Sequence, residues 1–314
     1  STSVFAGEFT ATGSASIAVE NYQGEMINTG KAFTMGDSVT LNGSTELDNG
    51  MTVSMSFELE GGGDAENSFD DHSITISSDA LGTFKFSGNG GSTAVSALDA
   101  TAAGDIWDTF DTQVVEASAI AESTTVAGNA AMLSTAGGNN TMMYTLPSVV
   151  DGLSVSASYT PQGTSTESSQ AYGLTYTGVE GLTVHYGAGT NDAGATTAKA
   201  DVTTMKATYA YGPITVGYSD HDFDSATDTR DQAVKSYSVA YTVTDSISVS
   251  YGTDELSSNE ATTAVDAEYS KLSASYTAGG MTITATTAEA DNISYTTATR
   301  EDRDYWSLGL SFAF

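Results

Sequence analysis

The residues of this chain that could do chemistry are overwhelmingly carboxylates: 40 Asp and Glu against nine Lys and Arg, a formal net charge of −31 over 314 residues. Cysteine is absent and histidine is limited to His72, His185 and His221, which removes thiol catalysis, Cys-ligated zinc and disulfide scaffolds. A Ser-His-Asp arrangement is arithmetically available, but no spacing singles one out, and the chain does not read as an enzyme. The densest acidic motif is 220–231, with Asp220, Asp222, Asp224, Asp228 and Asp231 at positions 1, 3, 5, 9 and 12 of a twelve-residue span. Calcium gathers six to eight oxygens at about 2.3 to 2.6 Å and would suit that spacing, although Ser225 stands where such loops need Gly and Asp231 where they need Glu. An acidic outward loop is the plainer reading. A second set, Asp105-x-x-Asp108-x-x-Asp111, would lie near one face of a short helix. Glycines at 61–63 and at 88, 90 and 91 lack the helical pattern that follows a phosphate-binding loop, and read as outward loops. So acidic a chain makes a poor partner for nucleic acid.

The elements that must position these groups are strands. Ile247, Val249 and Tyr251 alternate with Ser246, Ser248 and Ser250; Leu153, Val155, Ala157 and Tyr159 alternate with Ser154, Ser156 and Ser158. Met51 to Leu59 and Trp306 to Phe314 repeat the pattern. A period of two puts one set on each face of a sheet. Turn signals of Gly with Asp, Asn or Pro recur at 48, 79, 151, 180, 212, 245 and 279, spaced 29 to 34 residues apart except for a gap of 72 after the second. The regular spacing fits two strands of about 11 residues plus a longer connection at the far end. Seven tight hairpins and one strand at each end predict sixteen strands, from 9–21 to 304–314, with the excess of the long gap assigned to 89–138. Closing the first strand on the last removes both edges of such a sheet.

Charged residues make up only 16% of the chain, below the roughly 25% of soluble domains. The polar face is Ser, Thr, Gly and Ala, a poor soluble exterior but a good wet lumen, whereas the Leu, Val, Ile, Tyr and Phe stripe suits lipid. The predicted fold is therefore all-β: a transmembrane antiparallel β-barrel forming one domain over 1–314. No 18-residue apolar run exists for a spanning helix, and no basic-then-apolar leader opens the chain, as expected of a mature exported form. A secreted β-solenoid, adhesin or surface-layer protein is the rival reading, since its turns would be spaced similarly.

Three features resemble the sixteen-stranded general porins of Gram-negative outer membranes, especially the alphaproteobacterial type: the opening strand around Gly13-Ser14-Ala15-Ser16-Ile17-Ala18-Val19, the Leu81-Gly82-Thr83-Phe84-Lys85-Phe86 strand before the long excursion, and the terminal Phe312-Ala313-Phe314. The resemblance implies that 89–138 is a long third extracellular loop folded into the lumen as a constriction. Its acids Asp99, Asp105, Asp108, Asp111, Glu116 and Glu122 would then line the opening, facing basic residues on the wall. Outward Phe84 and Phe86 put Lys85 on that wall; outward Met205 and Tyr209, and outward Leu272 and Tyr276, do the same for Lys206 and Lys271. Where general porins stack arginines, this chain offers only these lysines. The resemblance also implies a homotrimer in outer-membrane lipid and lipopolysaccharide, passive diffusion of small hydrophilic solutes, and recognition of Phe314 by the insertion machinery. Carboxylates in a narrow opening concentrate cations, so a cation-preferring channel is expected; the channel-class alternative is a substrate-specific pore for a cationic solute. No cofactor is required, and calcium at the outward acidic loops is the one candidate.

Overall fold

A computed structural model describes residues 7–24, 30–60, 71–110, 139–161, 168–191, 200–225, 231–259, 265–295 and 302–314. Sixteen antiparallel strands close into one barrel, each bonded to its sequence neighbours and β1 to β16. They are β1 (Glu8–Gly24), β2 (Gly30–Glu46), β3 (Thr52–Glu60), β4 (His72–Ser78), β5 (Gly82–Asn89) and β6 (Thr141–Thr145). Next come β7 (Leu153–Thr160), β8 (Ser169–Val179), β9 (Leu182–Asn191), β10 (Ala200–Tyr211) and β11 (Ile214–Ser225). The circuit ends with β12 (Gln232–Thr244), β13 (Ile247–Ser258), β14 (Ala267–Ala278), β15 (Met281–Asp291) and β16 (Arg303–Ala313).

The tight hairpins fall where the turn residues stood. Gly152 and Gly181 adopt φ of 74° and 76°, a region that a side chain at Cβ disfavours. Three strands depart most from the spans their alternation predicts, 9–21, 36–48 and 139–147: β1 lengthens to Glu8–Gly24. β2 begins at Gly30 rather than 36, because Ala32 and Thr34 continue the polar face opposite Phe33 and Met35. β6 shrinks to Thr141–Thr145, since Pro147 has no N–H to offer a ladder.

The apolar stripe faces outward: Phe33 is 82% exposed, Met35 72%, Tyr172 60% and Leu272 51%. Outward tyrosines form two rings, one beside the tight turns (Tyr144, Tyr176, Tyr209, Tyr241, Tyr276) and one six to eight residues along the strands (Tyr159, Tyr172, Tyr186, Tyr237, Tyr251). Two aromatic rings bracketing an apolar band are what the two water interfaces of a bilayer select. The inward face carries Ser, Thr and Gly, paired across strands as in Ser14 with Ser38 (Oγ–Oγ 3.0 Å) and Ser248 with Ser275 (2.8 Å).

Candidate functional site

Beyond β5 the chain turns into the barrel. Gly88 and Gly90 do not form an outward loop: a Cβ at Gly88 would lie 2.1 Å from His72 Nε2, and one at Gly90 1.5 Å from Asp71 Oδ1. Gly88 is a residue of β5, the extra one where the β4–β5 register shifts between His72 and Ser73, and Gly90, at φ 64°, packs on Asp71 as the chain leaves the strand.

A backbone inside the barrel must find hydrogen-bond partners, and the wall supplies them strand by strand. The amides of Ala94, Ala102 and Ala103 donate to Ser158 Oγ (2.8 Å), Ser219 Oγ (2.9 Å) and Ser236 Oγ (2.9 Å). Ile106 N donates to the buried carboxylate of Asp254 (2.7 Å). In return Lys206 Nζ donates to Ala100 O (2.7 Å), Lys271 Nζ to Gly104 O (3.1 Å) and Tyr22 OH to Thr109 O (2.9 Å). Room for the loop comes from lumenal glycines. A Cβ at Gly173 would sit 2.6 Å from Ala94 O, and one at Gly252 2.6 Å from Ala103 Cβ. Gly187 lies beneath Val95 and Gly217 beneath Ala102.

Two apolar clusters complete the seat. Ala94 and Val95 pack with Ala171, Ala200, Val202 and Phe223. Ile106, Trp107 and Phe110, on a 3₁₀ turn (Ile106–Phe110), pack with Val234, Leu256, Tyr269 and Ala288. Ile293 and Tyr295, from a second 3₁₀ turn (Ile293–Tyr295) between β15 and β16, join the same cluster. At loop height the described loop residues cover inward residues from β7 to β15 and reach Tyr22 on β1 and Tyr305 on β16, so among the described residues the least covered wall is that of β2 to β5.

The predicted acids separate. Asp105, at φ 43°, accepts Thr101 N on Oδ1 (2.9 Å) while its own N donates to Thr101 Oγ1 (2.8 Å). It closes a turn ahead of the 3₁₀ helix instead of sharing a helix face with Asp108, which is exposed. Asp111, Glu116 and Glu122 lie outside the described residues. Asp99 is half-buried at the loop edge, and burial pushes its carboxyl up to about 7, with Asp105 adding to the rise and Lys206 opposing it. Between the ordinary carboxylate value near 4 and about 7, the folded loop holds a proton that an unfolded chain would release. The stabilisation is therefore complete below the lower value and lost as pH rises through the higher one. Current selectivity should follow the same group: cation preference rises between pH 6 and 8, and Asp99→Asn flattens that rise. A pH profile of the reversal potential checks it, and an unchanged slope in the variant contradicts it.

All three lysines are lumenal, but they do not form one basic wall facing the loop acids. Lys206 and Lys271 lie behind the loop and hold its carbonyls, whereas Lys85 stands on β5 between Thr75 and Met143, with none of the described loop residues bonded to it. His185, also lumenal, bonds Thr175 Oγ1 through Nδ1 (2.9 Å).

The acidic span 220–231 is not a loop around one centre. Asp220, Asp222 and Asp224 alternate along β11 on its outward face, beyond Tyr218. Asp231 caps Ser225 N (2.9 Å) and accepts Asn259 Nδ2 (3.3 Å), and Asp228 lies outside the described residues. Among the described residues no three acidic or histidine side chains are grouped as a metal needs.

Sequence reasoning missed Ser158, Ser219, Ser236, Asp254 and the four seating glycines. Their only signal was lumenal parity on strands facing the loop.

A closed sixteen-stranded barrel with a lipid-facing exterior and a loop seated in its lumen defines a membrane-spanning pore. The chain belongs to the Gram-negative porin family, whose model matches residues 1–270. It resides in the outer membrane, and the family and fold are those of channels that pass small solutes rather than of enzymes. Among solved structures it is similar to a triple mutant of Rhodopseudomonas blastica porin (14% identity, TM-score 0.69) and a porin refined at 1.8 Å (19% identity, TM-score 0.69). Each match covers 98% of this chain and 100% of the other. Among functionally curated proteins none matches.

Proposed function

We propose that this porin is a cation-preferring homotrimeric channel for passive diffusion of small hydrophilic solutes, with no required cofactor. The observation that carries the reading is how the loop uses its charges. Lys206 and Lys271 keep their charge but sit behind the loop on its carbonyls, Lys206 close enough to act on Asp99, so Asp99 and Asp108 are not faced across the passage by a row of cations. Carboxylates at a narrow, low-dielectric opening raise the local concentration of cations and repel anions.

The trimer is supported by an asymmetry of the exterior. Outward tyrosines occupy β6 to β14, and among the described residues no tyrosine or tryptophan faces outward on β1 to β5. Those strands instead present Ile17, Phe33, Met35 and the carboxylate of Asp37, exposed in an otherwise apolar stripe. Above the tyrosine belt, Asp220, Asp222 and Asp224 face the level of lipopolysaccharide headgroups, where divalent cations such as calcium would bridge them to phosphates. At the chain end Phe314 N donates to Gly13 O (2.9 Å) and its ring covers Gly13, so the residue offered to the insertion machinery closes the barrel.

The test is the reversal potential of single channels in a planar bilayer under a salt gradient. A cation-preferring potential with insertion in steps of three is expected. An anion preference overturns the charge reading.

A further inference from the structure

The described loop residues cover the inward face from β7 to β15 and reach Tyr22 on β1 and Tyr305 on β16, so among the described residues the wall left most open runs from β2 to β5. Among the described residues that wall is mostly hydroxyl, with Ser38, Thr40, Ser54, Ser56, Ser73 and Thr75 on it, whereas Ser87 and Thr141 are buried. The charged groups on and beside it are few and their heights can be read from the register. Glu8 and Glu46 stand near the tight-turn end, and Glu20 accepts Tyr305 OH (3.1 Å). Glu60 ends β3 and Arg303 begins β16. Between these levels stand Glu58, Lys85 and Asp71, whose carboxylate lies against Gly90 at the root of the loop.

Glu58 is lumenal, since it pairs with Thr40 while its neighbours Phe57 and Leu59 face the lipid side with Met55. Its amide donates to Asp71 O (2.8 Å), the next residue His72 pairs with Asn89, and Asn89 is where the loop leaves the wall. Glu58 therefore shares the level at which the loop enters the lumen. Among the described residues its carboxylate has no hydrogen bond or ion pair. Lys85 sits two lumenal positions below that level on β5.

We infer that Glu58 is a selectivity-determining residue of this wall, so that the passage carries carboxylate on both sides and not opposed charges across a gap. The inference rests on the channel reading above and deepens it. Opposed charges set up a transverse field that orients dipolar solutes, whereas like charges on both sides simply favour positive ones. Among organic solutes, small amines carrying net positive charge should pass ahead of zwitterions of equal size. Among the described residues the lumenal cations on and beside this wall are Lys85 and, at the start of β16, the buried Arg303, and Lys85 moderates this preference.

The experiment compares reversal potentials of the full-length trimer in a KCl gradient near 0.1 M, where the screening length is about 10 Å, for wild type, Glu58→Gln, Lys85→Glu and Glu46→Gln. Glu58→Gln should lower the potassium-to-chloride permeability ratio about twofold, the effect of a unit charge acting through ~8 Å of water. Lys85→Glu should raise it by a similar factor, and Glu46→Gln, near the tight turns, should leave it nearly unchanged. Heat-modifiable migration confirms that each barrel is folded. A wild-type channel without cation preference removes the parent reading. A cation-preferring wild type whose ratio is unmoved by Glu58→Gln, or moved as much by Glu46→Gln, overturns this inference alone.

Discussion

Replacing Gly173 and Gly252 by valine in one chain should lift the loop from the wall and raise single-channel conductance, while the barrel still inserts and assembles. The Cβ at 173 would come 2.6 Å from a backbone oxygen, Ala94 O, and that at 252 comes 2.6 Å from Ala103 Cβ, whose own Cα is 3.1 Å away. Neither neighbour is the far end of a flexible side chain, so the loop backbone must move. Moving it breaks the bonds from Ala94 N to Ser158 and from Ala103 N to Ser236, each worth about 1 kcal/mol. It also unpacks Val95 and Ile106 from their clusters. The strands themselves tolerate valine well, because β-branched residues suit a pleated sheet. Conductance should rise about two- to threefold, since transport through a constriction follows its width, and cation preference should fall as Asp99 leaves the opening. Planar-bilayer recordings of the double variant check both; unchanged conductance in a folded barrel would sink the account of the glycines as the loop's seat.

The barrel was legible because its rules are local. Alternation over five residues sets the face of every strand, and Asp-Gly or Gly-Pro at a turn sets the reversal, so sixteen strands and their outward stripe could be read without long-range information. Parity also put Lys85, Lys206 and Lys271 inside correctly. What it could not say is what would lie on top of them. The loop's partners are far away in sequence, 133 residues for Ala103 with Ser236 and 148 for Ile106 with Asp254, and no local pattern marks Ser219 or Ser236 as different from other lumenal serines. The acids at 105 and 108 failed as a helix face for a related reason. Asp105 bonds a backbone amide four residues earlier, a choice typical of Asp near helix starts, which spacing alone does not reveal. In the span 220–231 the carboxylate positions matched a calcium loop, yet the same residues alternate with His221, Phe223 and Ser225, the period of the strand that formed.

Met35→Arg should abolish the homotrimer, whereas Val216→Arg should not. Met35 projects from β2, beside Ile17 on β1 and Phe33, in the sector that lacks an outward tyrosine ring. Asp37 lies two residues along on the same face. An exposed carboxylate is costly against hydrocarbon, and the outward tyrosines that ring the other sectors are missing there, although Phe9 and Phe33 are exposed on it; the two observations together support the proposed contact between copies on this sector. In a threefold ring each arginine would enter a packed contact three times over, and every copy would carry the same desolvated cation. Val216, 46% exposed on β11, lies in the tyrosine-bracketed sector; arginine there costs about 2 to 4 kcal/mol at the bilayer midplane, lowering the yield of inserted barrels without touching the contact between copies. Unheated gel migration and native mass spectrometry should show monomers for Met35→Arg and trimers for Val216→Arg. Because the chain has no cysteine, a spin label at Met35→Cys gives a second reading that does not require disrupting assembly: it should be shielded from lipid-soluble oxygen, and a label at Val216→Cys should not. Trimers that survive Met35→Arg, or equal oxygen access at the two labels, would place the interface on other strands.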